Sequence, residues 1–169
     1  MSLKVSKTAI MAKKNNCFAI VVLLVMVSMA VGCSRKTIYS HYEPTPLEGW
    51  EKNDTLSFRV MLIRSDGSYK EEIGLRTSGA YPFTGLTLVV EQRSVPSGMM
   101  RSDTLHARLV SRDGTVQGKG IVYYQYKFHL ANLRLNEADT LYVSIRHNMK
   151  REILPGISDV GLILQRLDE

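Results

Sequence analysis

The chain has 169 residues and a formal net charge of +6, with 44% hydrophobic and 22% charged residues. The charge is uneven, because the first 32 residues hold four lysines and no acidic residue, and the remaining 18 basic and 16 acidic residues give a net charge of only +2. That balance does not support a nucleic-acid partner. The roughly 137 residues after this segment are enough for one hydrophobic core, so we expect a single domain.

The N-terminal segment is organised like a secretory signal peptide. An apolar run from Cys17 to Gly32 follows the four lysines (Lys4, Lys7, Lys13 and Lys14). A membrane-spanning helix needs about 20 apolar residues, and this run is shorter. It ends in small or compact residues, as a signal peptidase requires. We therefore predict a signal peptide over residues 1–32, translated from either Met1 or Met11.

Cys33 directly follows Ala30-Val31-Gly32. This arrangement resembles the lipobox of bacterial lipoproteins, in which the chain is cut before the cysteine and the thiol is acylated. It predicts cleavage between Gly32 and Cys33 and a lipid anchor on Cys33, with an ordinary signal peptide as the alternative. Because Cys17 leaves with the signal and Cys33 carries lipid, we expect no disulfide in the mature chain.

Residues 33–49 contain two prolines and a glycine but show no sustained hydrophobic period. We predict a flexible tether there, semi-extended around Pro44 and Pro46. From Trp50 onwards the chain alternates between apolar and polar residues, which is typical of half-buried strands. The alternation places these residues on inward faces: Leu56, Phe58, Val60 and Leu62; Leu105, Ala107 and Leu109; Val122, Tyr124, Tyr126, Phe128 and Leu130; Leu141, Val143 and Ile145.

Two more apolar runs, Leu86 to Val90 and Val160 to Leu164, suit strands that are buried more deeply. Turn sequences separate the runs: "SDGS" at 65–68, "PSG" at 96–98 and "RDGT" at 112–115. No segment has a helical period with caps. The fold class predicted for residues 50–169 is therefore all-β, an antiparallel sandwich of seven to eight strands, jelly-roll or Ig-like, with a small barrel as the alternative.

The tripeptide "DTL" occurs three times, each time before an alternating run. In the simpler interpretation the aspartate ends a turn and the next two residues begin a strand. The tripeptide also resembles the O-glycosylation sequon of Bacteroidota, which would place sugars on Thr55, Thr104 and Thr140.

A second pattern, an apolar-x-apolar-Arg strand end, a loop and then Gly-Leu-x-Leu, occurs in residues 73–88 and again in residues 143–164. We name these segments the Arg-loop units and expect them at one edge of the sandwich. Their candidate partner-binding residues are Arg76, Tyr81 and Phe83 in the first unit and His147 and Arg151 in the second. The alternative is that all five fix the structure of their own loops.

The sequence offers little for catalysis. The four histidines are far apart, no His or Cys pair has metal-ligand spacing, and neither a nucleophile elbow nor a phosphate-binding glycine loop is present. We expect no enzyme activity, cofactor or metal. Aromatic residues such as Trp50, Tyr81 and Phe83 leave one other class open, a carbohydrate-binding module that stacks sugars on exposed rings.

Read in order, these residues resemble the gliding motility lipoprotein GldH family of Bacteroidota. The resemblance covers the lipobox, "WEKNDTLSFRV" (50–60), "IGLRTSGAYPFTGLTLVVE" (73–91), "DTLHARLVSRDGTVQGKG" (103–120) and "VSIRHNMKREILPGISDVGLILQ" (143–165). It implies a non-catalytic envelope protein that contacts partners of the gliding and type IX secretion machinery. The residues after the cysteine, "SRKT", lack both an inner-membrane retention aspartate and an acidic export run, so we predict the outer membrane with the domain facing the periplasm.

Overall fold

The computed structural model describes residues 36–167, which form ten β-strands and no helix. The predicted signal peptide, its cleavage position and Cys33 lie outside the described residues. Within residues 36–167 no helix is long and apolar enough to cross a membrane. The strands are β1 (Thr37–Pro44), β2 (Trp50–Glu51), β3 (Leu56–Val60), β4 (Gly67–Ser78), β5 (Gly85–Val95), β6 (Met100–Arg108), β7 (Tyr123–Leu135), β8 (Thr140–His147), β9 (Ile153–Leu154) and β10 (Ile157–Arg166).

The eight longer strands form two four-stranded antiparallel sheets. Sheet I has the order β1-β10-β4-β7, sheet II has the order β3-β8-β5-β6, and β2 pairs with β9 in a short third ladder. Strands pair as β1 with β10, β3 with β8, β4 with β7 and β5 with β6, as in a long hairpin rolled into two sheets. This is jelly-roll topology. The predicted antiparallel sandwich is confirmed, and the strand order selects the jelly roll among the alternatives.

Inward-facing side chains of both sheets fill the space between them. Ile73 and Leu75 of β4 in sheet I are buried, as are Leu141, Val143 and Ile145 of β8 in sheet II. Burying one such side chain contributes about 1.5–3 kcal/mol before the entropy of ordering is subtracted. The core therefore follows from the period of two that the sequence shows.

The sandwich has two distinct ends. At the terminal end β1 begins, β10 ends, and the connections 61–66, 96–99 and 136–139 lie between the strands. At the loop end lie the four remaining connections, 45–55, 79–84, 109–122 and 148–156, with β2 and β9 inside the first and last of them.

The prediction of a flexible tether up to residue 49 is wrong for residues 37–44. Those residues form β1, which pairs with β10 along its whole length as an edge strand of sheet I. The pattern was missed because most side chains of an edge strand stay partly exposed, so that polar and apolar residues occur on both faces. The ordered domain therefore starts close to the predicted lipid anchor.

Two further details differ from the alternation. β3 ends at Val60, so that Leu62 is exposed and Ile63 is buried in its place. β7 does not end at Leu130 but continues to Leu135, and a bulge opposite Glu71 and Glu72 moves its inward face from even to odd residues. A bulge adds one unpaired residue to a strand, which a strict period of two does not anticipate.

Candidate functional site

The two Arg-loop units meet at the loop end. Connection 79–84 passes from sheet I to sheet II, and connection 148–156 passes back from sheet II to sheet I. The Ser78 N–H donates to the Gly156 carbonyl at 2.8 Å, and the Asn148 N–H donates to the Thr87 carbonyl at 2.8 Å. Gly156 has a φ of 80°, and a Cβ there would overlap the backbone of Tyr81. The two units therefore contact each other at the loop end, which agrees with the expectation that they lie together at one edge of the sandwich.

Arg76 of the first unit is held against its own domain. Its guanidinium carbon lies 4.3 Å from the ring centroid of Tyr42, and Nη1 lies 3.8 Å from Oδ1 of Asp159. Contacts of both kinds at exposed sites contribute about 1 kcal/mol or less each. Arg76 fastens β1 to the sheet, and the 42% of its side chain that stays exposed is open to a partner.

Tyr42 extends across the outer face of sheet I over two glycines. Gly161 of β10 pairs with Tyr42, and Gly74 of β4 pairs with Gly161. A Cβ at either glycine would overlap the Tyr42 ring. At the far side the Tyr42 hydroxyl accepts a hydrogen bond from Nε2 of Gln125 on β7 at 3.2 Å. One side chain thus links all four strands of sheet I, and the two glycines provide the space for it.

Tyr81 and Phe83 are half-buried in connection 79–84. The Tyr81 hydroxyl donates to the Gly85 carbonyl at 2.9 Å, and the two rings meet edge to face, with centroids 5.5 Å apart and planes at 69°. Burial raises the pKa of the Tyr81 hydroxyl, which therefore stays protonated and keeps this bond. The rings close their own loop and do not form the coplanar exposed pair that a sugar-stacking site requires.

His147 has no exposed surface, so the prediction that it contacts a partner is wrong. Its Nε2 donates to the Trp50 carbonyl at 3.1 Å, its Nδ1 accepts from the Met149 N–H at 3.4 Å, and its ring packs edge-on against Trp50 at 5.2 Å. Burial lowers the pKa of His147, which favours this neutral tautomer. Trp50 is also fully buried, so neither ring is available to a sugar.

Several large apolar side chains are exposed at the loop end. Leu47, Ile121, Val122 and Ile153 occupy three different connections there, and Ile121 is 92% exposed. Arg151 is exposed in the same region. None of these apolar residues is a candidate from the sequence pattern, and the alternation wrongly predicts an inward face for Val122, which is 71% exposed. One feature of the sequence indicates that Leu47 and Ile121 are exposed: both lie next to turn residues and outside any alternating run.

The same end continues into two open depressions beside the edge strands β6 and β7. Their volumes are about 730 and 740 Å³, and Arg108 and Ser111 line both of them. The first also has His106 and Arg112, and the second has Lys119 and Lys127. The charged side chains around these depressions are mainly basic. The two depressions therefore form an open, basic surface beside the edge strands.

A buried polar network lies between the sheets. Gln92 Nε2 donates to Oε2 of Glu71 at 2.9 Å and to Oδ2 of Asp103 at 3.2 Å, and Arg101 binds Asp103 from outside at 2.6 Å. Burial raises the pKa of the Glu71 carboxyl to about 7, and the negative charge of Asp103 adds to the shift. Arg101 keeps the pKa of Asp103 below its ordinary value. Glu71 and Gln92 are buried, whereas Asp103 and Arg101 extend to the surface, so the network links the core to the outside of β6 and bears on stability.

The three "DTL" threonines occupy unlike positions. Thr55 is exposed before β3, Thr104 is exposed within β6, and Thr140 is half-buried at the start of β8. Asp139, before Thr140, is buried and accepts hydrogen bonds from the Ser97 N–H, the Ser97 hydroxyl and the Asn136 N–H at 2.8–3.1 Å. The turn interpretation fits Asp139, whereas the middle tripeptide lies inside a strand.

Within residues 36–167 no His, Cys, Asp and Glu side chains are grouped to hold a metal.

The model of the GldH lipoprotein family matches residues 37–164. The chain belongs to this family. The matched region begins with the first residue of β1 and ends two residues before the end of β10, so it covers nearly the whole jelly roll. Membership of a lipoprotein family indicates a cell-envelope protein attached to a membrane.

Two relatives are similar over nearly their full length. The gliding motility lipoprotein GldH of Flavobacterium johnsoniae is 27% identical over 165 residues, which cover 87% of this chain and 96% of that protein. A GldH homologue of Christiangramia forsetii is 26% identical over 160 residues, with 89% and 97% covered. The family predicted from the residues is therefore confirmed.

Among solved structures the similarity is weaker. A family GH115 4-O-methyl-α-glucuronidase has a TM-score of 0.44 at 13% identity, and 80% of this chain is matched to only 18% of that one. A family 35 carbohydrate-binding module from Clostridium thermocellum has a TM-score of 0.38 at 10% identity, with 75% and 88% covered. At these scores neither similarity bears on what this chain binds.

Proposed function

We propose that this chain is a non-catalytic lipoprotein of the outer membrane, anchored by acyl chains on Cys33. Its jelly roll faces the periplasm and binds proteins of the gliding motility and type IX secretion machinery. The names of its relatives support the link to gliding motility. The lipobox sequence before the domain supports the anchor. Acyl chains anchor firmly only when there is more than one, because each buried methylene contributes about 0.8 kcal/mol.

The observation that carries the proposed contact is the set of exposed apolar side chains at the loop end. Leu47, Ile121 and Val122 lie at the end of the domain opposite to the one where the anchored segment enters. Ile121 and Val122 are neighbours in the chain and are 92% and 71% exposed, so they form the centre of the proposed contact, and large exposed apolar side chains of this kind occur at protein interfaces. Arg151 is exposed and Arg76 is partly exposed at the same end, and both contribute polar contacts around them.

Site-specific crosslinking in the native host tests this contact. A photo-crosslinking residue at Ile121 should capture a component of the motility or secretion apparatus, identified by mass spectrometry. The matched control is the same residue at Met100, which is 79% exposed at the terminal end. No adduct at Ile121, or the same adducts at both positions, would refute the contact.

A deletion strain tests the role in the cell. We expect loss of gliding or secretion, restored by the wild-type gene but not by the Ile121→Asp, Val122→Asp double variant. Two charges in a buried apolar contact cost about 2 kcal/mol or more, or roughly 30-fold in affinity. Rescue by the double variant would contradict the proposed surface. Removal of the domain by protease added to intact cells would contradict the periplasmic placement.

A further inference from the structure

Two large apolar side chains project from the terminal end of the domain. Met61 and Leu62 follow β3 directly and are 64% and 68% exposed. The alternation of β3 predicts that Leu62 faces the core, yet the structure turns it outwards. The core position is filled by the next residue, Ile63, which is buried.

The backbone holds these side chains in place. Within residues 36–167 two residues other than glycine have a positive φ, Leu62 at 55° and Ala138 at 66°, and both lie in adjacent connections of the terminal end. The Ile63 N–H donates to the Asp139 carbonyl and the Ala138 N–H donates to the Ile63 carbonyl, each at 2.8 Å. Leucine rarely adopts this conformation, and strain of this kind is concentrated at functional positions.

The predicted anchor enters at the same end. The Lys36 carbonyl accepts a hydrogen bond from the Arg166 N–H at 2.7 Å, which fixes the start of the domain to the end of β10. Cys33 precedes Lys36 by three residues, a reach of about 10 Å. Acyl chains on Cys33 would therefore hold the terminal end against the bilayer surface.

We propose that Met61 and Leu62 insert into the bilayer beside the acylated Cys33, so that the domain stands on its terminal end with the loop end directed away from the membrane. This inference rests on the lipid attachment in the proposed function. The exposed charged residues of the connections 61–66 and 136–139 are of both signs: Arg64 is basic, and Asp66 and Glu137 are acidic. Met61 and Leu62 themselves carry no charge, so neutral vesicles should support their insertion.

Tryptophan fluorescence of the full mature lipoprotein, reconstituted into phosphatidylcholine vesicles, tests the contact. The chain has one tryptophan, Trp50, which is buried at the loop end, so the wild type gives the background signal. The Met61→Trp variant adds a probe at the terminal end, and the control Leu47→Trp adds one at an even more exposed position of the loop end. Vesicles carry lipids with a doxyl quencher near the headgroup or near the end of the acyl chain.

We expect the added emission of Met61→Trp to shift to the blue and to be quenched. The doxyl group near the headgroup should quench it more than the doxyl group near the end of the acyl chain. The added emission of Leu47→Trp should neither shift nor be quenched. Quenching at neither position overturns the proposal. Quenching at both positions overturns the upright orientation. A blue shift at position 61 without quenching indicates a protein contact instead, and also overturns it.

Intact mass of the same preparation separates failure of this inference from failure of the anchor. An unacylated mass removes the proposed lipid attachment. The thiol of Cys33 is then free, and coupling it to a maleimide lipid restores the same spacing to the bilayer, so that the quenching experiment still decides the contact of Met61 and Leu62.

Discussion

Replacing Glu71 by glutamine should stabilise the domain, and the gain should grow with pH. Glu71 is fully buried, and its Oε1 and the Gln92 Oε1 have no hydrogen-bond partner within the described residues. Burial raises the pKa of Glu71 from 4.5 to about 7, so the folded protein keeps a proton that the unfolded chain releases above pH 4.5. The contribution of Glu71 to stability is thus highest below pH 4.5, falls by about 1.4 kcal/mol per pH unit up to pH 7, and is lower by about 3 kcal/mol above it.

Glu71→Gln removes this ionisation, so its advantage over the wild type should rise from near zero at about pH 4.5 to about 3 kcal/mol at about pH 8. Urea unfolding followed by the fluorescence of Trp50 measures both proteins across this range. Comparing them cancels the contribution of His147, whose lowered pKa acts in the opposite direction. The control is Glu72→Gln, which removes only the outward ion pair with Lys70. An advantage that does not change with pH would refute the reasoning.

Three other predictions concern the glycines under Tyr42, the carboxylate of Asp139 and the "DTL" threonines. Gly74→Ala and Gly161→Ala should each cost about 1–3 kcal/mol in urea unfolding because they displace Tyr42, whereas Gly79→Ala, where a Cβ meets nothing within 4 Å, should be almost neutral. Asp139→Ala should cost about 2–3 kcal/mol, since three donors lose their acceptor. Burial opposes the ionisation of Asp139, but the hydrogen bonds from Ser97 and Asn136 outweigh this effect and lower its pKa. The wild type should therefore lose the stability that these bonds provide as pH falls below about 3.8. Asp139→Ala should show no such loss. If the "DTL" sequon is used, intact mass from the native host should show sugar, located by peptide mapping on the exposed Thr55 and Thr104; an unmodified mass would remove that hypothesis.

The sequence predicted the fold well wherever burial alternates with a period of two. Phe58, Val60 and the inward residues of β8 were assigned correctly because each strand has one face in the core and one outside. The assignment failed where the backbone departs from that period. At Leu62 a positive φ turns the side chain outwards, and in β7 a bulge shifts the register, and neither leaves a clear signature in residue types.

The candidate site was predicted only in part. The shared pattern of the Arg-loop units correctly placed both at one end of the sandwich, because each unit is the same kind of crossing between sheets. The roles of individual residues depend on contacts between distant parts of the chain. His147 is buried because Trp50, some 97 residues earlier, packs on it, and Arg76 is held by Tyr42 from a segment predicted to be unstructured. Such contacts cannot be inferred from local spacing.

The pairing of β1 with β10 has a mechanical consequence for an anchored protein. β1 runs from the terminal end towards the loop end, so a pull applied through the residues before Lys36 acts parallel to the strand. The backbone hydrogen bonds from Thr37 to Pro44 are then loaded together in shear and do not open one after another, as they would in peeling. The Tyr42 ring, seated over Gly161 and Gly74, resists the same sliding motion. In the proposed arrangement, with the anchor before Lys36 and the partner at the loop end, β1 thus transmits tension into the sheet in shear.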